Sequence, residues 1–301
     1  MTTYAITGAT GFVGSALTAS LMQDGHHVVR IGRSSGHASP VPRLRNVTWD
    51  PAAGRLDPAG LEGVDAVVHL AGESVAGGRW TTARKTAIRQ SRVQGTTLLA
   101  RILAGMQRRP AVLVSASAIG IYGNRGDEVL DETATHAQDF LGEVAREWEA
   151  ATMPAQQAGI RVVHARIGIV LGWSGGALAR MRLPFLLGLG GPLGDGRQYM
   201  SWISLTDAVR ALRHCADDAG TRGAVNLTAP QPVTNREFTR TLGRVLRRPA
   251  FLPAPAFALR MLLGEMADAL LLQGQRVVPA ALQRSGFRFV HEQLESALRE
   301  G

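Results

Sequence analysis

The chain has a single cysteine, Cys215, and a single lysine, Lys85, in 301 residues. One thiol excludes an internal disulfide framework and suits a reducing cytoplasm. With lysine almost absent, arginine carries nearly all of the positive charge, and the formal net charge is +9. The basic residues are scattered and lack the aromatic interleaving of single-strand binders, so no nucleic-acid partner is expected. Long apolar runs are missing as well. The longest apolar region, FLPAPAFALRMLLGEMADALLL, is broken by Arg260, Glu265, Asp268 and two prolines, which predicts no membrane span. The start MTTYAIT runs straight into an expected strand, so no signal peptide and a cytoplasmic location are expected. What is present is a 45% apolar composition, enough for a sizeable core in one large domain or two closely joined ones.

Short continuous apolar runs occur at YAIT (4–7), HVVRI (27–31), DAVVHLAG (65–72), AVLVSAS (111–117) and IRVVHARIGIV (160–170). Such runs suit strands buried on both faces. Helical patterns lie between them, from Phe12 to Asp24 and over 80–104 and 138–158. Strand and helix in alternation predict an α/β fold, a Rossmann-like doubly wound parallel sheet. The texture changes after about residue 172. A glycine-rich loop GLGGPLGDG (188–196) precedes a strand–helix pair in YMSWISLTDAVRALRHC. Thr234 and Glu237 then stand at capping-box spacing. The expected division is a cofactor-binding domain over 1–171, with sheet-completing elements from about 199–229. A smaller, mainly helical C-terminal substrate domain is expected over 172–301.

TGATGFVG (7–14) places Gly8, Gly11 and Gly14 between the first strand and the first helix. The first glycine permits the tight turn, the second lets backbone approach a pyrophosphate, and the third lets helix pack on strand. Thr10, Phe12 and Val13 belong to the same cradle, where the free N–H groups of a helix start face the phosphates. At the end of the second strand, Gly32 stands where an NAD site usually has an acid. Arg33 and Ser34 follow, and Arg33 can pair with a 2′-phosphate, so NADP (NADPH) is the expected cofactor. No metal site is expected.

These residues, with HLAG (69–72), RVQGT (92–96), SASAIGIYG (115–123) and ARIGIVLG (165–172), resemble the extended short-chain dehydrogenase/reductases. AGES…RW (71–80), FLGEVAREWE (140–149), LPFLLGLGGPLGDGRQYMSWI (183–203) and GQRVVPAAL are similar to one atypical branch. That branch is the NAD-dependent epimerase/dehydratase-like family, sometimes labelled cell-division inhibitors. The resemblance implies an oxidoreductase or epimerase-like enzyme acting on a carbonyl or carbinol, nucleotide-sugar-like or otherwise. A catalytically silent, NADP-binding regulatory protein is the alternative. The resemblance also implies that Leu70, Ala71 and Gly72 flank the cofactor's ribose, that Ser115 belongs to the cofactor site, and that Ser117 polarises the substrate oxygen. Arg92 falls where relatives have asparagine and brings a cation near the site.

Such enzymes carry a tyrosine and a lysine four apart, and here those positions are Phe140 and Val144, or Leu141 and Ala145 in the neighbouring register. The tyrosines are Tyr4, Tyr122 and Tyr199, none with a lysine four residues on. The usual lysine-activated phenol is therefore excluded. Three other groups are candidates. Tyr122 either swings a phenol toward the site or packs. Ser117 is either an active-site donor or a turn residue. Glu73 either contacts ribose or substrate or is an exposed loop acid. Arg84, Lys85, Arg89 and Arg92 form a basic stripe, solvated unless Arg92 meets an anionic substrate group. Glu143 and Glu147 read as a surface face. Leu141, Val144 and Trp148 either pack on the sheet or form a helix-bundle contact in a homodimer.

Overall fold

The computed structural model describes residues 1–33 and 41–300. The first unit is β1 (Thr3–Thr7), α1 (Phe12–Gln23) and β2 (His27–Gly32). Next come β3 (Leu44–Asp50) and a short β4 (Arg55–Leu56), antiparallel to it. Then follow β5 (Ala66–His69), α2 (Thr82–Gly105), β6 (Val112–Ala118), β7 (Val129–Leu130), α3 (Phe140–Ala150), α4 (Met153–Gln157) and β8 (Arg161–Ile167). The second half holds β9 (Ile169–Leu171), α5 (Gly176–Leu186), β10 (Tyr199–Met200), β11 (Trp202–Ser204), α6 (Leu205–Asp217) and β12 (Gly223–Leu227). It continues with β13 (Val233–Thr234), α7 (Asn235–Leu246), α8 (Ala256–Leu263), β14 (Arg276–Val277) and short helical turns up to Glu300.

The main sheet has the order β12-β8-β6-β5-β1-β2-β3-β4 and is parallel except for β4. β1 lies between β2 and β5, so chain order reverses there and the loops after β1 and β5 diverge. A crevice at such a reversal is where doubly wound sheets bind ligands. Strand alternation builds two cores. Tyr4, Ile6, Val68 and Val114 face α1 and α6, with Leu17, Leu21 and Leu212 fully buried. Ala5, Val29, Val67 and Leu113 face α2, where Leu99 and Leu103 are buried. Each such leucine stabilises the fold by about 1.5–3 kcal/mol.

Three local departures have physical causes. β3 reads LRNVTWD and is mostly half-exposed, so it shows none of the continuous apolar texture of the inner strands. The run at 160–170 is two strands, because at Gly168 the backbone leaves the sheet. A side chain there would sit 2.5 Å from the Ser201 carbonyl oxygen. β9 pairs instead with β11. The helical pattern over 138–158 divides into α3 and α4, since Pro154 has no N–H to continue the ladder. The Thr234–Glu237 capping box forms as expected at the start of α7.

Among the described residues no helix is long and apolar enough to cross a membrane, and no cluster of three His, Cys, Asp or Glu could hold a metal ion. Cys215 is fully buried, and burial pushes its thiol up to about 12, so it stays protonated.

Candidate functional site

The loop after β1 is built with no room for side chains. Gly8 has φ +67°, and a Cβ there would lie 2.9 Å from the Leu70 carbonyl carbon and 3.0 Å from Ala71 N. A Cβ at Gly14 would lie 2.2 Å from the Gly8 carbonyl oxygen. That oxygen accepts from Gly11 N at 2.9 Å, closing the turn. α1 begins at Phe12 with Gly11 as its cap residue, no side-chain cap and no acid in its first turn. Its leading N–H groups, including those of Phe12, Val13 and Gly14, thus have no capping side chain, the condition for holding an anion. Thr10 is exposed on the turn, and the Phe12 ring packs against Gly172, Gly175 and Gly176 beyond β9.

Thr7 ties this loop to the one after β5. Its Oγ1 accepts from Leu70 N and Ala71 N, both at 3.1 Å, so both lone pairs are used. Its own proton must then go to His69 Nδ1, 2.6 Å away. His69 is therefore protonated on Nε2 and donates to Thr96 Oγ1 at 2.9 Å. Burial lowers the His69 pKa to about 4, and its ring meets Trp49 edge-on. Among the described residues no charge shifts it, so the buried imidazole stays neutral. Because the folded value lies below the ordinary 6.5, the associated stability is fully present above pH 6.5. It is lost as pH falls toward 4, and amounts to about 3 kcal/mol. Urea midpoints between pH 7 and 4.5 are expected to fall steeply in the native chain and less so in His69→Asn. Parallel curves would sink the assignment.

Arg33 is exposed at the end of β2, directly after Gly32. Ser34 lies outside the described residues. Leu70, Ala71 and Gly72 follow β5, opposite Gly8. Ser115 is buried in β6 and donates a weak bond to the Ala116 carbonyl.

The Glu73 carboxylate is half-exposed and pairs with Arg84 at 2.9 Å. The basic stripe on α2 is engaged along its length. Lys85 pairs with Glu265 at 2.7 Å and lies over the Phe140 ring. Arg89 reaches Glu143 at 3.0 Å and Glu147 at 3.5 Å, so those acids bind α3 to α2. Arg92 lies over Trp148 and donates to the Glu73 and Ile88 carbonyls at 3.0 and 3.1 Å. Burial lowers its pKa to about 10, which leaves it a cation at neutral pH. Val144 and Trp148 are buried within the chain, and Leu141 lies against Gly120.

Phe140, at the tyrosine position, packs its ring on Trp80, and the lysine position is the buried Val144. Tyr122 takes the packing alternative. It is 0% exposed, donates to Asn226 Oδ1 at 2.7 Å and accepts from Arg166 Nη1 at 2.9 Å. Its phenol is held above the ordinary value, chiefly by burial. Ser117 donates to Glu149 Oε1 at 2.7 Å. That carboxylate is gripped bidentately by Arg166, at 2.8 and 2.9 Å. Burial pushes Glu149 up, but the Arg166 bonds and charge outweigh it and hold the carboxyl below its usual range. His136 Nε2 lies 3.2 Å from Arg166 Nη2, and the Glu149 carboxylate is 3.8 Å from His164 Nδ1.

Glu149, Arg166 and Asn226 were not among the residues the sequence singled out, and neither was Thr7. A signal was present. Arg166 and Asn226 interrupt strands otherwise apolar enough to be buried on both faces, and a buried charge requires a partner.

The NAD dependent epimerase/dehydratase family matches residues 4–227, and a domain of unknown function matches residues 254–300. An epimerase family protein of Mycobacterium bovis is 48% identical over 294 residues, covering 98% of this chain and 95% of its own. The human epimerase family protein SDR39U1, solved with NADPH, superposes with a TM-score of 0.89. It is 34% identical, with 99% of this chain and 98% of that chain covered. A nucleoside-diphosphate sugar epimerase from Corynebacterium glutamicum gives 36% identity and a TM-score of 0.79, with 99% of this chain and 57% of that chain covered. On the sequence match over most of its length, with the glycine loop and the sheet reversal to support it, the chain belongs to the NAD dependent epimerase/dehydratase family.

Proposed function

We propose that the protein binds NADPH and acts as an oxidoreductase or epimerase-like enzyme on a carbonyl or carbinol substrate. The observation that carries this reading is the uncapped start of α1 over a loop whose glycines leave no space for side chains. The human relative solved with NADPH supports the choice of cofactor. Gly8, Gly11, Gly14 and the first N–H groups of α1 would hold the pyrophosphate, with Thr10, Phe12 and Val13 in the same turn. Leu70 to Gly72 would flank the cofactor's ribose, and Ser115 would belong to the same cofactor site. The bound cofactor would donate or accept a hydride.

Arg33 would hold the 2′-phosphate, since Gly32 removes the acid that would repel it. A charge-assisted bond of this kind is worth about 1.5–3 kcal/mol. Arg33→Ala is expected to weaken NADPH binding roughly ten- to a hundredfold and to leave NADH binding nearly unchanged. Equal losses for the two nucleotides would refute the assignment.

Ser117 gives its proton to Glu149, so toward a substrate it offers lone pairs. That arrangement suits a carbinol, whose hydroxyl donates to Ser117 Oγ. On oxidation, the substrate proton would move to Ser117 Oγ as the serine proton moves to Glu149, which then releases it to water; reduction would run backward once Glu149 has taken a proton from water. Because Arg166 keeps Glu149 a weak base, the relay is slower than a lysine-activated phenol would be. Glu73 and Arg92 would meet the substrate's polar groups at the mouth of the crevice. A second reading, a regulatory protein that binds NADPH without turnover, is favoured by one observation. Tyr122 and Ser117 both have their protons committed within the chain.

The test is titration with NADPH and NADH, followed by addition of a desalted metabolite extract while the reduced nicotinamide is monitored. Selective NADPH binding followed by oxidation supports the enzyme, and Ser117→Ala should then lower turnover roughly 10²-fold or more. Binding with neither oxidation nor an epimerised product in the extract supports the regulatory reading, since an epimerase returns its cofactor to the starting state. Absence of NADPH binding would overturn both.

A further inference from the structure

A cavity of about 350 Å³ lies on α7, and four of its lining residues are Arg236, Arg240, Arg244 and Arg248, with Phe251 at its edge. The three helical arginines fall at i, i+4 and i+8, on the side opposite the buried Phe238 and Leu242. Like charges one turn apart destabilise a helix unless something neutralises them. Among the described residues no carboxylate lines the cavity.

The arginines are anchored from outside the cavity. Arg236 Nη2 donates to the Asp195 carbonyl at 2.9 Å, and Arg248 Nε donates to the Leu186 carbonyl at 3.1 Å. Arg244 Nη1 pairs with Glu295 at 2.8 Å. Glu295 also serves Arg299, so it neutralises neither arginine fully. Among the described residues Arg240 donates no hydrogen bond, and only the Glu237 carboxylate three positions before it is felt through space, while the other forks keep free N–H groups. The fourth arginine reaches the cavity through an unusual turn. α7 ends on Arg247 in the left-handed region, φ 53°, a position that favours glycine. Arg248 N then bonds back to the Gly243 carbonyl at 2.9 Å. The turn folds tightly enough that a Cβ on Gly243 would lie 2.6 Å from the Ala250 Cβ.

We propose that this cavity is a second anion site, distinct from the α1 loop, for a small molecule bearing two adjacent phosphate groups. Its volume is that of a small-ligand site. Four arginines lining one space match the oxygens of vicinal phosphates, which a guanidinium fork can grip with two parallel N–H bonds. Phe251 is 78% exposed and offers a flat apolar face to a base. The chemistry is shared by inorganic pyrophosphate and a nucleoside diphosphate.

The full-length chain, saturated with NADPH to fill the α1 site, is titrated calorimetrically with inorganic pyrophosphate and separately with ADP. One equivalent of each is expected to bind. Equal affinities mean the phosphates alone are recognised, whereas tighter ADP binding that Phe251→Ala removes adds the base. Arg240→Ala should weaken both at least tenfold, and Arg240→Ala/Arg248→Ala roughly a hundredfold, with the melting temperature and NADPH affinity unchanged. Sensitivity to Arg240 and Arg248, and not to Gly14, separates this site from the α1 loop whether or not NADPH binds. The proposal is overturned if neither anion saturates, if the arginine variants bind as the native chain does, or if duplex DNA or heparin competes equally per charge.

Discussion

Gly14→Ala is expected to abolish tight NADPH binding while the chain still folds. The new methyl would sit 2.2 Å from the Gly8 carbonyl oxygen, 2.9 Å from the Gly8 carbonyl carbon and 3.0 Å from the Ala9 Cα. All three are backbone atoms, so no side chain can swing aside. Gly8 cannot retreat either, because its far side already contacts Leu70 and Ala71. The start of α1 must therefore move outward by about 1 Å, carrying its free N–H groups away from the phosphates. Displacements of that size cost roughly a hundredfold where several donors must converge. Overpacking itself costs about 1–3 kcal/mol, a fall of roughly 2–10 °C in melting temperature. Fluorescence titration beside thermal melting separates the two effects. Native-like NADPH affinity in a folded Gly14→Ala chain would remove the α1 loop from the cofactor site.

Arg166→Met is expected to cost about 3–5 kcal/mol, the penalty for leaving a buried carboxylate alone. The pair is shielded, with side chains 4% and 10% exposed for Arg166 and Glu149, so water does little to screen it. Removing the guanidinium leaves Glu149 with the Ser117 hydroxyl, takes a donor from the Tyr122 hydroxyl and frees the Glu132 carbonyl. The double variant Arg166→Met/Glu149→Leu should recover much of the loss, because no charge then remains to bury. Denaturant unfolding of the native chain, both single variants and the double variant measures the coupling. A single-variant loss under about 1 kcal/mol, the size of an exposed pair, would show that solvent reaches this network.

The two experiments touch parts of the molecule that were unequally visible in the sequence. The phosphate loop was legible because its rules are local. Three glycines at fixed spacing between an apolar strand and a helix pattern determine both the turn and the absence of side chains. The inner strands and the doubly wound sheet were legible for a related reason, since strands buried on both faces must be apolar along their length. β3 was not, because it lies next to the sheet edge, covered on its outer side only by the two-residue β4, and carries polar residues. The absence of Tyr-x-x-x-Lys was equally plain, as it needs only the residue four places after each of the three tyrosines to be checked.

What fills that absence depended on the tertiary structure. The basic stripe on α2 looked solvated, yet Glu73, Glu143, Glu147 and Glu265 arrive from three other segments to pair with it. Ser117, Glu149 and Arg166 come from β6, α3 and β8, and Tyr122 meets Asn226 across 104 positions of chain. A periodic pattern shows which face of an element is buried, but not which strand will be its neighbour. The cofactor fold could be read from contiguous residues, since backbone space and apolar burial are local properties of the chain. Where the protons of Ser117 and Tyr122 go follows from long-range packing, because a buried polar group takes whichever partner distant strands bring within hydrogen-bond reach.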